Sequence, residues 1–267
     1  MTTTSADAAS GRILLTTGDT DDGNSGSVTI TAGSAASGSA GGISLTVGLS
    51  DGSRGGEIRM NGGDSAAGKG GNAELNAGKG IDRGGNVTVA AGDALEGSGG
   101  AVTISSGSSP DQGGDLTLCT RESDGGSGAV LLSTGDAGEG DSGGVHISTG
   151  STMSGTSGSM SIETGVSSSG RGGRMKMHAG NATDSAPGGS LSMASGSGEN
   201  GGGLCLTSGD GLDGQGGVIA LVAGHANQGD GARVSVTGGS TEGDDAKGGS
   251  ATIEGGAGMS SASDGGN

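Results

Sequence analysis

The chain writes one eight-residue unit over and over, and this repetition limits what it can fold into more than any other feature. The unit is G-x-φ-x-φ-x-x-G, with φ apolar, and GSVTITAG at 26–33 is a clear copy. Seventeen copies run from residue 11 to residue 256, with apolar pairs from Ile13/Leu15 and Val28/Ile30 through Val87/Val89 and Met175/Met177 to Ala251/Ile253. All 34 slots are apolar; the leading Gly is replaced once, by Ala232, and the trailing Gly once, by Arg121. A fixed period of this kind marks a repeat architecture and takes precedence over any motif search.

The unit never changes length, whereas the connector between one trailing Gly and the next leading Gly is usually seven residues and varies from five to nine. Constant length implies a shared register. Variable length implies a surface segment where slack is tolerated. Within a unit, period-two alternation places the two φ residues and the small residue two further on upon one face.

Seventeen short alternating segments predict an all-β repeat protein. The favoured form is a flattened β-solenoid of about 17 coils, each taking a ~15-residue period, with the connector folding back to cover the apolar face. The alternative is a long antiparallel β-meander, whose apolar face would need a second layer. Six residues of strand cover about 20 Å, which a seven-residue return can just span. A Gly-, Ser- and Ala-rich return lying close to that face would leave room for Val, Ile, Leu or Met and none for a ring. The chain has 69 Gly and no Phe, Tyr or Trp. Stacked coils would make a rod about 80 Å long. Residues 1–10 read as a polar N-terminal stub, 11–256 as a continuous array and 257–267 as a partial connector. No capping helix is written at either end, so the expected partner is the chain itself, through uncapped solenoid ends.

Charge narrows the partners further. The net charge is −17, and 24 of the 29 acidic residues lie in connectors or termini. Nucleic acid and anionic membrane surfaces call for basic patches and are not expected partners. No run of eighteen apolar residues occurs, so membrane insertion is not expected. The N-terminal MTTTSADAASGR has no apolar core of a signal peptide.

The repeats SGSVTITAGSAASGSAGGISLTVG (25–48) and GGAVTISSGSSPDQGGDLTL (99–118) resemble the Gly/Ser-rich repeat regions of large surface or secreted proteins of diatoms and related microalgae. The resemblance covers nearly the whole chain. It implies a structural or adhesive role at the cell surface or outside the cell, and it brings no catalytic residues with it.

Candidate chemistry is sparse. Cys119 and Cys205 sit at outward positions of the eighth and fourteenth units. Six coils of about 4.8 Å would hold them far beyond disulfide reach, so no internal bridge is expected. His146, His178 and His225 have no Cys or second His in register. The acidic connectors suggest weak calcium binding at Asp19, Asp21 and Asp22 and at Asp136, Glu139 and Asp141, with Asp244 and Asp245 a lesser pair. Neither the EF-hand spacing nor the calcium nonapeptide is present. Outward Thr29/Thr31 and Ser44/Thr46 resemble the ladders of ice-binding solenoids, but the row is broken at Arg59/Asn61 and Lys176/His178. Asn86-Val-Thr88 and Asn181-Ala-Thr183 fit the N-glycosylation pattern. The sequence therefore predicts a non-catalytic structural repeat rod of an extracellular matrix, fibre or adhesin, with no cofactor. The alternative is a calcium- or ice-binding β-solenoid module.

Overall fold

A computed structural model describes residues 11–52, 54–183 and 186–256. The polar stub 1–10 and the tail 257–267 lie outside the described residues. The chain divides into two units of contact, Met1–Leu132 and Ser133–Asn267, and the division falls inside the ninth repeat.

The partition into repeats and connectors is reproduced by the backbone. Every bend or turn among the described residues falls in a connector, and no eight-residue unit contains one. Alternation is also visible inside the units. Side chains two residues apart meet on the polar face: Ser44 Oγ and Thr46 Oγ1 lie 3.2 Å apart, and Ser161 Oγ donates to Glu163 Oε1 at 2.6 Å. Arg59 Nη2 reaches Glu57 Oε1 at 2.8 Å on the same face. Being exposed, that ion pair adds little stability.

The expected fold is not found. The described residues contain no helix, no strand and no bridge between strands, so neither the β-solenoid nor the antiparallel meander is formed. The reason lies in the connectors. A coil needs its connector to travel back across about 20 Å. Instead, at eight of the sixteen connectors the two ends meet in a backbone hydrogen bond of 2.8–2.9 Å. The amide of leading Gly71 donates to the carbonyl of trailing Gly63 at 2.8 Å, and Gly100 donates to Gly92 at 2.9 Å. Such a connector is a closed loop that spans nothing and covers no face. A meander could begin at this contact, but no ladder propagates from it along the units.

The connectors bend by local means. Ser65 Oγ accepts from Gly68 N at 3.0 Å, and Ser167 Oγ accepts from Gly170 N at 2.9 Å. Thr152 Oγ1 donates to Ser154 O at 2.9 Å. Ser and Thr hydroxyls that bond the backbone two or three residues away are a standard way to turn a chain. Gly155 completes the Thr152 turn in the left-handed region at φ +108°, and Gly97 stands at φ +86° in its own connector, both conformations in which a side chain would be strained.

No core results. No described residue is buried. The accessible surface is 26563 Å². A folded monomer of this mass would expose about 10,000 Å² and a fully unfolded chain about 35,000 Å². The half-buried residues are Ala91, Ala179, Ser208, Ala223, Ala226 and Gly238. All but Ala226 occupy the third inward position of a repeat, just before its trailing Gly.

Candidate functional site

The one feature built repeatedly from side chains and backbone is the neck at which each connector closes. It has three parts: the trailing Gly carbonyl, the next leading Gly amide, and the third-position residue just before the trailing Gly. At fifteen of the sixteen junctions the incoming residue is Gly, and Ala232 stands at the other.

The two glycines of the repeat do different work. A Cβ on several of the leading glycines would crowd the opposite side of the neck. On Gly26 it would lie 3.3 Å from Thr17 Cβ, on Gly100 3.2 Å from Ala91 Cβ, on Gly173 2.9 Å from Thr164 Cβ, and on Gly56 2.5 Å from Val47 Cγ1. Close approach favours Gly at these four positions, whereas on Gly41 and Gly114 an added Cβ would stay 3.6 Å from its nearest neighbour, an ordinary contact. The trailing glycines Gly18, Gly48, Gly107 and Gly150 have nothing within 4 Å of an added Cβ. That freedom accounts for Arg121, which occupies a trailing position.

The third-position residue decides whether the neck closes. Where it is Gly62, Ala77, Ala91, Ser106, Ala179, Ser195, Ser208 or Gly238, the backbone bond across the neck is 2.8–2.9 Å long. Where it is Thr17, Val47, Thr120, Thr134 or Thr149, no such bond forms; at Thr164 it is stretched to 3.5 Å. A branched Cβ props the two backbones apart. At Gly224–Ala232 the third residue is Ala223, but the incoming residue carries its own methyl, and the bond lengthens to 3.3 Å. Ala32 is small, yet its neck forms no bond, and nothing in the structure explains this.

Closure is indifferent to loop length. The five-residue connector between Gly196 and Gly202 closes at 2.9 Å, and the nine-residue connector between Gly239 and Gly249 closes at 2.8 Å. A loop that returns to its own start need not match any fixed span, which explains the variable connectors without a shared surface.

The residues singled out in the sequence are not gathered into a site. Asp19, Asp21 and Asp22 share one connector and Asp136, Glu139 and Asp141 another. All six are exposed, and no group of three metal-binding side chains converges among the described residues. His146, His178 and His225 are exposed. Cys119 and Cys205 are exposed free thiols, and Cys205 Sγ lies 3.4 Å from Thr207 Oγ1. Asn86 and Asn181 of the two glycosylation patterns are exposed. Without pairing between repeats, the Ser44/Thr46 hydroxyls remain a local pair and are not continued into a ladder. The described residues form no pocket, and none of their helices could cross a membrane, since they contain no helix.

The neck itself escaped sequence reasoning. Its signal was the small third-position residue, which reads equally well as the inner wall of a thin coil. No protein-family model matches the chain, and neither a curated protein nor a solved structure does.

Proposed function

We propose that the protein is a non-catalytic structural repeat protein of an extracellular matrix, fibre or adhesive layer. One observation carries this reading: the same unit recurs from residue 11 to residue 256, its neck closes at eight of the sixteen junctions, and among the described residues no repeat gathers chemistry that the others lack. A catalyst needs a singular, pre-organised constellation in a concave site. A structural polymer needs many equivalent contacts. The acidic connectors suit it, because they keep the exposed chain hydrated and soluble until it is assembled. The likeness of its repeats to those of microalgal surface proteins points the same way.

Cell fractionation and immunogold electron microscopy with antibodies to this chain test the reading. The label should sit on insoluble extracellular material and fibres. A protein found wholly in the soluble fraction, away from any fibre or matrix, would overturn it.

A further inference from the structure

The repeats carry an apolar stripe that the chain itself leaves open. First-slot residues such as Val28 and Val102 are 52% exposed, and second-slot residues such as Ile30 and Val89 are 68% exposed. Their shielding is regular, unlike that of apolar residues in connectors, such as Leu95 and Met153, which stand fully in solvent. Within each unit the slots therefore form a partly shielded face, and the necks separate the slots of one unit from those of the next.

Charge separates along the same boundary. The seventeen eight-residue units contain six Lys or Arg and five Asp or Glu, so they are nearly neutral. The remaining six basic and 24 acidic residues lie in the connectors and termini. The units that hold the apolar slots can thus approach another acidic chain with far less repulsion than the connectors can.

On these grounds, and resting on the structural reading above, we propose that the apolar stripe is an interface between two copies of this chain. Area permits it within either unit of contact. A half-exposed Val, Leu or Ile has roughly 50 Å² of side-chain surface left to bury. The seventeen slots larger than Ala up to Leu132 then sum to about 850 Å², and the fifteen beyond it to about 750 Å². A stable interface takes about 800 Å² from each partner. Spacing selects the occupant. A partner must interrupt its own apolar surface at the intervals set by the necks, and a second copy does so. The connectors, projecting from both copies, still repel. Association must therefore strengthen as salt screens them.

Sedimentation velocity of the full chain tests this between about 10 mM and about 0.5 M sodium chloride, where the screening length falls severalfold. The mass should rise from the 24.4 kDa monomer to at least twice that value. In a variant carrying Ile30→Ser, Ile104→Ser, Ile147→Ser and Leu221→Ser, association should weaken at least about tenfold. A matched variant, with Leu14→Ser, Leu131→Ser, Val218→Ser and Val222→Ser on the opposite face, should associate like the natural chain. A chain that stays monomeric at every salt concentration overturns the interface. So does association that survives the slot substitutions or is lost equally with the opposite-face set. These results leave the matrix reading to be judged by its own fractionation experiment, since a structural chain can be held by other surfaces.

Discussion

The neck at Gly92–Gly100 and the neck at Gly135–Gly143 bound connectors that share four of seven residues, and the residue before the trailing Gly is Ala91 in one and Thr134 in the other. Both connectors are seven residues long. With Ala91 in the third position the backbone bond is 2.9 Å long; with Thr134 there is none, and Thr134 Cγ2 sits 3.4 Å from where a Cβ on Gly143 would be. Two carbon-sized groups thus separate a pinched loop from an open one. Local sterics, rather than sheet formation, set the conformation of this chain. Each closed neck rests on one exposed hydrogen bond, worth about 1 kcal/mol, so its state can be changed one residue at a time.

The largest effect should come from removing the donor. Gly100→Pro deletes the amide that bonds Gly92, so this neck should open completely while Gly78–Gly85 and Gly107–Gly114 stay closed. The chemical-shift map of the connectors reads the result, and loss of all three necks would show that they are not independent. Next comes Gly62→Val. A Cβ at Gly62 would lie 2.5 Å from Gly71 O. The Gly71 amide should lose about fivefold in hydrogen-exchange protection, the equivalent of one hydrogen bond.

The reverse substitution sharpens the comparison. Thr134→Ala should give Gly143 an amide protected about as well as that of Gly100, within a factor of two or so of one bond's worth. An unprotected Gly143 amide in that variant would remove side-chain bulk as the controlling variable. The smallest effect belongs to the trailing position. Gly107→Ala meets open space and should leave the Gly107–Gly114 neck unchanged in both exchange rate and chemical shift. A large shift there would erase the distinction between the two glycines of the repeat.

Much of the local structure was legible in the sequence. The boundaries of units and connectors follow from Gly spacing and apolar alternation, and the bends respect them throughout the described residues. The alternation itself appears in the Ser44/Thr46 and Ser161/Glu163 contacts. The step from segment to sheet failed. Seven residues can cross about 20 Å or return to their start, and connector length alone cannot separate the two. The small residues Ala77, Ala91 and Ser106 fit a thin coil as well as they fit a neck. The candidate metal ligands show the same gap between chain and space. Asp19, Asp21 and Asp22 are neighbours in sequence, but sequence proximity does not itself bring carboxylates to the common point that hard cations require, and among the described residues no group of three does so.

Closed connectors are the central feature, and through-hydrogen-bond scalar coupling detects them most directly. In uniformly 15N,13C-labelled protein, couplings should connect Gly71 N to Gly63 C′, Gly100 N to Gly92 C′ and Gly217 N to Gly209 C′. No coupling should connect Gly143 N to Gly135 C′. Couplings that instead link one repeat to the next along their length, such as residues around Val87 to residues around Val102, would contradict the closed loops and the absence of strand pairing together.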